Sequence, residues 1–341
     1  MFVINGRFLT LPQGGVRRYA LEWARLLGQK MAELQIVAPP DAPLEPGLPV
    51  TRVGNLRGHA WEQMELPLYL KRRHRPLLLN LANTAPLMYD HNILVVHDLA
   101  WKDSRLAFHP RLRRGYRFLI PRLVRRAKAV WTVSRFAESE ILKEFPFLKG
   151  KTECLPPVLD YVKSWKSQQP QTSGLSHRPF FLTVGLTSPR KDPAVLFRAF
   201  SMRPERFLVV AGYAARVLKD LAPLPDNVLL MNALDDEELA WLYAHSQACI
   251  SASRYEGFDL PPLEAALLGR PVILSDIPVH REIWKDRACY FPMGEAPALA
   301  EILDSPDGAR FPVPQCDFTE KFSAERLYPL FQALIARFLK E

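Results

Sequence analysis

Two short stretches place reactive side chains at spacings suited to an anionic, hydroxyl-rich ligand. The first is Ser253-Arg254-Tyr255-Glu256-Gly257-Phe258-Asp259-Leu260-Pro261-Pro262-Leu263-Glu264, which follows the strand-like run Ala248–Ser251 and leads through an apolar segment to Gly269. Gly257 permits a tight turn or a close backbone approach. Pro261 or Pro262 suits the first helical turn, and Gly269 suits the residue just past the helix end. Amides near Gly257–Leu263 would then point at an anion. Glu256 and Glu264 are poor phosphate ligands but good acceptors for sugar and ribose hydroxyls. For Glu264 alone, complementing the helix dipole is the plain alternative.

The second stretch is Val184-Gly185-Leu186-Thr187-Ser188-Pro189-Arg190-Lys191-Asp192-Pro193. A strand ends near Gly185, and Asp192 with Pro193 can open the next helix. Arg190 and Lys191 are thereby presented at the strand's carboxyl end, where they can neutralise a diphosphate, Arg as a fork and Lys as a point charge. Taken alone, the pair also reads as solvated loop charge. In the first half, Gly14-Gly15 precedes a helix and reads equally as a phosphate cradle or a turn. His97 ends the strand Ile93–Val96, either as a cleft residue or as a satisfied structural one. Asp235-Asp236-Glu237-Glu238 looks like a metal site at first, but reads better as a helix cap with first-turn acids.

These residues need elements to hold them. Phe2–Ile4, Leu34–Val37, Leu77–Leu81, Ile93–Val96 and Ala129–Val133 read as buried strands. Helical segments lie between them at Gly15–Leu27, Ala60–Lys71, Arg111–Arg126 and Arg135–Glu144. A second series has strands at Phe180–Val184, Phe207–Ala211, Val228–Leu230, Ala248–Ser251, Val272–Leu274 and Ala288–Phe291. Its helices are Pro193–Phe200, Ala214–Leu221, Asp236–Ser246, Pro262–Leu268, His280–Trp284 and Pro297–Leu303, and the segment Ala309–Asp317 is loop-like. Strand–helix alternation implies parallel sheets covered on both faces. The expected class is therefore α/β, two doubly wound Rossmann-like domains facing each other across a cleft. Expected boundaries are 1–160 for an N-terminal domain, 161–179 for a polar linker, 180–317 for a C-terminal domain and 318–341 for a last helix packing back on the N-terminal domain. Ligands in such sheets bind outside the carboxyl ends of strands.

Composition bounds the rest. Among 341 residues, 48% are hydrophobic and 24% charged, a globular balance. No apolar run approaches the roughly 20 residues that span a bilayer, and the start carries no signal-peptide pattern; a cytoplasmic location is expected. Cys154, Cys249, Cys289 and Cys316 are widely spaced and read as reduced thiols. Lys and Arg total 45 against 36 Asp and Glu, net +9. Ten of the basic residues, and no acid, lie between Ser104 and Ala137; without that stretch the count is 35 against 36. The excess therefore belongs to one segment, Arg111–Lys128, which mixes Arg with large apolars. It suits either an anionic membrane surface or a solvated helix over the sheet. Pro121 speaks against one uninterrupted helix there.

Both chemistry-bearing stretches, in this order and spacing, resemble the donor-binding domain of retaining glycosyltransferases of family four, which have the GT-B fold. The paired glutamates, Glu256 and Glu264, are that family's hallmark. The resemblance extends to Asn5-Gly6-Arg7, Gly14-Gly15-Val16, His97-Asp98 and Val133-Ser134-Arg135-Phe136, and the pattern is similar to the branch of bacterial O-antigen and capsule mannosyltransferases. It implies that Arg190 and Lys191 bind the donor diphosphate. It implies further that Glu256 lies near the donor hexose, with Gly257, Phe258, Asp259 and Leu260 beside it, and that Glu264 accepts from the ribose. Gly14, Gly15 and Gly185 would approach the donor, and His97 would lie near the transferred sugar. Asp259 departs from the pattern, standing where the family has a second glycine.

The implied reaction is metal-independent transfer of a hexose, with mannose favoured, from GDP-mannose or a UDP-sugar to a saccharide or lipid-linked acceptor, with retention. Its setting would be polysaccharide or lipopolysaccharide synthesis, with no cofactor and no nucleic acid, and with peripheral residence on the inner face of the membrane through Arg111–Lys128. Two alternatives stand: a nucleotide-sugar epimerase of the same fold, and a basic membrane or nucleic-acid adaptor.

Overall fold

Short Val, Ile and Leu runs, buried on both faces, form two sheets in which every described pairing is parallel. The first has β1 (Phe2–Asn5), β2 (Leu34–Ala38), β3 (Val50–Arg52), β4 (Leu77–Asn80), β5 (Asn92–Val96), β6 (Ala129–Thr132) and β7 (Thr152–Cys154), in the order β3-β2-β1-β4-β5-β6-β7. The second has β8 (Phe181–Leu186), β9 (Leu208–Tyr213), β10 (Val228–Met231), β11 (Cys249–Ser251), β12 (Val272–Ser275) and β13 (Cys289–Phe291), in the order β10-β9-β8-β11-β12-β13. This computed structural model describes residues 2–103, 110–171, 175, 178–219, 221, 223–304 and 317–339. Cys316, Arg105, most of Ala309–Asp317 and the linker residues Thr172–Gly174 lie outside the described residues. Among those described, no helix is long and apolar enough to cross a membrane.

Each sheet has its own unit. The chain passes from the first to the second at Leu159/Asp160 and returns at Lys321/Phe322. In the first unit, helices α1 (Gly15–Lys30), α2 (Gly58–Ala60), α3 (Leu66–Lys71), α4 (Pro110–Arg126) and α5 (Arg135–Glu144) connect the strands. In the second, α6 (Pro193–Ser201), α7 (Ala215–Leu218), α8 (Asp236–His245), α9 (Leu260–Leu267) and α10 (Pro278–Trp284) do so, and α11 (Ala296–Leu303) and α12 (Asp317–Lys321) follow the last strand. The last helix, α13 (Ala324–Leu339), belongs to the first unit, where Phe331 packs against Phe2, Trp23 and Trp131 with ring centroids 5.7–6.0 Å apart. In the second unit Phe181, Phe200, Leu208, Val210, Ile250, Ile273 and Phe291 share one core.

Several local expectations change. The edge strands β3 and β7 are three residues each, only partly buried, and carry no apolar run to reveal them. The segment Ala60–Lys71 is not one α-helix, because Trp61–Glu65 forms a π-helical turn between α2 and α3. Pro121 does not interrupt α4. It removes the donor that would reach the Arg117 carbonyl, but buried Ile120, Leu123 and Val124 hold the helix on the core. The start of the expected linker is ordered: Asp160–Ser164 is a 3-10 turn whose Tyr161 and Val162 are buried in the second unit. The expected last helix begins later than residue 318, since α12 stays with the second unit and Phe318 packs on Trp284. Asp235 and Glu238 form a reciprocal capping box on α8. Cys154 and Cys249 are buried free thiols, and Cys289 is free and partly buried.

Candidate functional site

In the second sheet the strand order reverses between β8 and β11, the position at which doubly wound sheets open a ligand crevice beyond their strand ends. The segments leaving β8, β11 and β12 meet there. Near the end of β8, Gly185 takes φ +78, and after the strand Pro189–Lys191 makes a 3-10 turn started by Ser188. After β11, Ser253–Asp259 leads into α9. The two loops are tied together: Arg254 N donates to the Arg190 carbonyl at 2.7 Å, and Arg254 Nε donates to Asp192 Oδ2 at 2.6 Å. Asp192 was expected to cap α6 through its side chain. Instead it lies in the left-handed region (φ +48) with its carboxylate committed to Arg254, and Pro193 alone suits the helix start.

The tie brings the sequence-selected charges together. Arg190 Nη1 donates to the Tyr255 carbonyl at 3.0 Å and pairs with Glu256 Oε2. Lys191 Nζ lies 2.8 Å from Glu256 Oε1 and 2.7 Å from Asp259 Oδ1. Ser253 Oγ donates to Glu256 Oε1 at 2.9 Å. Burial works against the Lys191 charge, but Asp259 and Glu256 outweigh it and raise its pKa. Burial would likewise raise the Asp259 carboxyl; Lys191 and then His280 hold it well below the usual carboxylate range. Arg190 keeps 23% of its side chain exposed and Lys191 13%, so both cations are reachable.

The tight-turn conformation expected at Gly257 falls at Asp259 instead, with φ +77 immediately before α9. Asp259 therefore occupies a backbone geometry that favours glycine, and its side chain turns into the charge cluster. Phe258 and Leu260 are buried, and Gly269 takes φ +74 just past the end of α9. Glu264 is buried too. Tyr161 donates to its Oε1 at 2.6 Å and Tyr243 to its Oε2 at 2.7 Å, and Trp165 stacks on Tyr243. Sequence reading missed Tyr161, Tyr243, Ser251, Ser253, Arg254 and His280. Ser251, Ser253 and Arg254 lie within or beside the motif itself, whereas Tyr161, Tyr243 and His280 come from separate elements that only the fold brings to it.

The first unit repeats the topology, with the order reversing between β1 and β4. His97, after β5, is buried; its Nε2 faces the Leu81 carbonyl at 2.8 Å and its ring meets Tyr19 edge-on at 4.7 Å. Burial lowers its pKa, so the ring is a neutral donor through Nε2. Gly14 and Gly15 are exposed at the start of α1. Between β1 and β4 lies a network that joins Asn5 and Arg7 of the Asn5-Gly6-Arg7 run to Glu62 and Thr84, which no motif signalled. Arg7 Nε pairs with Glu62 Oε1 at 3.0 Å, Arg7 Nη2 donates to Thr84 Oγ1 at 2.7 Å, and Asn5 Nδ2 donates to Glu62 Oε1 at 2.8 Å. Glu62 comes from the π-helical turn, and its carboxyl is completely buried. Burial alone would raise it, but Arg7, His59 and Thr84 together hold it at about 2.

Residues 166–305 match the family described as Glycosyl transferases group 1. The chain is 36% identical over 137 residues to the serotype-specific mannosyltransferase WbdA of Escherichia coli, covering 37% of this chain and 17% of that protein. It is 29% identical over 241 residues to the O-antigen chain mannosyltransferase RfbU of Salmonella typhimurium, covering 67% of this chain and 64% of that one. The matched segments thus span less than two thirds of either relative. Among solved structures, Anabaena HepE in complex with UDP and glucose superposes with a TM-score of 0.76 at 15% identity, covering 98% of both chains. The likeness fixes the fold as GT-B, with its two parallel-sheet α/β units.

Proposed function

From a chain that carries a glycosyl transferases group 1 domain over residues 166–305, we propose a retaining glycosyltransferase that moves a hexose, mannose in the favoured case, from a nucleotide diphosphate sugar to an acceptor hydroxyl in cell-surface polysaccharide or glycolipid synthesis. One observation carries this reading: Arg190 and Lys191 are held together, still partly exposed, at the switch point between β8 and β11 and beside the start of α9. In the reaction the diphosphate gains negative charge as it leaves, while the sugar ring becomes oxocarbenium-like. Arg190 and Lys191 stabilise the first charge by preorganised electrostatics. Glu256, ion-paired with both cations, serves the second. The donor's own phosphate takes the acceptor proton on the same face, and no protein nucleophile is assigned. Glu264 accepts from the ribose; a carboxylate has about four acceptor positions, so the two tyrosines do not exhaust it.

The named relatives, both O-antigen or serotype-specific mannosyltransferases, favour mannose and GDP-mannose; HepE with UDP and glucose keeps UDP-sugars in view. A membrane surface is the proposed site of action. Arg114, Arg117, Phe118, Arg122, Arg125 and Arg126 of α4 are exposed, as is Phe147 nearby under Arg125. Such a basic-aromatic face suits anionic headgroups.

The test is a panel of sugar nucleotides, with mass spectrometry of both donor and acceptor. Consumption of one donor with a hexose mass gained by a saccharide acceptor is the expected result. Isomerised free nucleotide sugar would establish an epimerase. A salt-sensitive nucleic-acid complex without sugar-nucleotide binding would establish the adaptor. Co-sedimentation with phosphatidylglycerol vesicles but not phosphatidylcholine vesicles is expected at low salt; equal absence from both would remove the membrane from the proposal.

A further inference from the structure

The acid at position 259 stands in a left-handed conformation that favours glycine, and its side chain turns into the charge cluster. Both carboxylate oxygens are occupied. Oδ1 accepts from Lys191 Nζ at 2.7 Å, and Oδ2 accepts from Ser251 Oγ at 2.5 Å. Oδ2 also lies 3.1 Å from His280 Nε2. His280 is fully buried on α10, and its Nδ1 lies 2.8 Å from the Ser275 carbonyl oxygen, which can only accept. Ser275 Oγ, 3.5 Å from the same nitrogen, gives its own proton to the Ser253 carbonyl at 2.6 Å. Each ring nitrogen therefore faces an acceptor, and a neutral imidazole has a proton for only one of them.

We propose that His280 is a buried imidazolium and that, acting through Asp259, it is a positioning residue for Lys191. This rests on the donor-site reading given above. With a neutral ring, Arg190 and Lys191 are matched one for one by Glu256 and Asp259, and the cluster presents no net charge to a diphosphate. With the imidazolium, Asp259 is shared between two cations and the cluster carries one net positive charge. Lys191 can then turn toward a phosphate without leaving a buried carboxylate uncompensated. The other charged groups facing this centre are already paired: Asp276 with Arg281 at 2.7 Å and Asp192 with Arg254 at 2.6 Å. Cys249, below Asp259, is held as a neutral thiol by burial. The Tyr290 hydroxyl donates to the His280 carbonyl at 3.3 Å and leaves the ring untouched.

Two measurements on the full chain test this. In 15N-histidine NMR, one residue should show both ring nitrogens protonated at pH 7.5, and that signal should vanish in His280→Gln. A neutral ring assigned to His280 would overturn the proposal outright, whether or not a nucleotide binds. In calorimetry with GDP and UDP, His280→Gln should weaken binding of the preferred nucleotide about tenfold, the effect of one charge acting across a partly buried cluster. The double variant His280→Gln/Asp259→Gly should recover most of the loss, because no buried carboxylate is left to neutralise; this recovery separates positioning from a folding defect. Unchanged affinity in His280→Gln would overturn the link to Lys191. If wild type binds neither nucleotide while the imidazolium signal is present, the donor-site reading fails rather than the charge assignment.

Discussion

Each unit holds an arginine–glutamate pair beyond the carboxyl ends of its central strands, yet the two pairs are built differently. Arg7–Glu62 is sealed: the Glu62 side chain has no exposed surface, Arg7 has 6%, and Thr84 and Asn5 complete the carboxylate's bonds. Arg190–Glu256 is open on its cationic side, where Arg190 and Lys191 retain exposure and their anionic partners lie beneath them. A sealed pair fixes the geometry of its unit; an open one stores cations that an arriving anion can recruit. A buried ion pair is thus informative about function through which partner faces outward, rather than through its presence.

The sharpest way to break that contrast is to remove the open cations. Arg190→Ala/Lys191→Ala should lower kcat/KM at least about a thousandfold, measured at a temperature where the variant stays folded, because the Glu256 and Asp259 carboxylates it uncovers also cost stability. Near-normal turnover would sink the assignment of either residue. The sealed pair should behave in the opposite sense. Glu62→Gln leaves a buried guanidinium short of its counter-charge and should cost about 3 kcal/mol of stability in urea unfolding, as expected when one partner of a buried pair is removed. Its pH signature follows from linkage. The Glu62 carboxyl titrates at about 2 in the fold against 4.5 when free. Its stabilisation is therefore complete above about pH 4.5 and disappears as pH falls through about 2. Glu62→Gln should flatten that part of the acid limb; an unchanged limb would show that the pair contributes nothing. The smallest effect is expected at Glu264. Tyr243→Phe removes one of two hydroxyl donors and should cost about 1 kcal/mol. Saturating nucleotide should narrow the deficit, because a ribose hydroxyl can replace the lost donor. A deficit indifferent to nucleotide would make Glu264 structural.

The central strands were legible in the sequence because burial on both faces demands uninterrupted apolar runs, as in Ile93–Val96 and Val272–Leu274. The edge strands β3 and β7 were not, since a partly buried Val-Thr-Arg or Thr-Glu-Cys carries no such run. At the candidate site, Arg190, Lys191, Glu256 and Glu264 announced themselves by type and spacing. His280 did not. It lies 21 residues beyond Asp259 and reaches it only because β12 is laid parallel beside β11. Glu62 was hidden for a different reason: a π-helical turn rotates it out of the helical phase that the surrounding apolar residues suggest. Local signals thus mark residues that shape their own loop. Partners recruited through sheet adjacency or a change of helical pitch become visible only in three dimensions.

The return of the chain to the first unit has a consequence for the order of events during synthesis. Phe331 fills the space between Phe2, Trp23 and Trp131, residues made long before it. As the polypeptide leaves the ribosome at roughly 5–20 residues per second, the first unit must wait for the whole second unit before Phe331 arrives. Until then Trp23 and Trp131 lack the ring that covers one side of each. The first unit is thus begun before the second and completed after it.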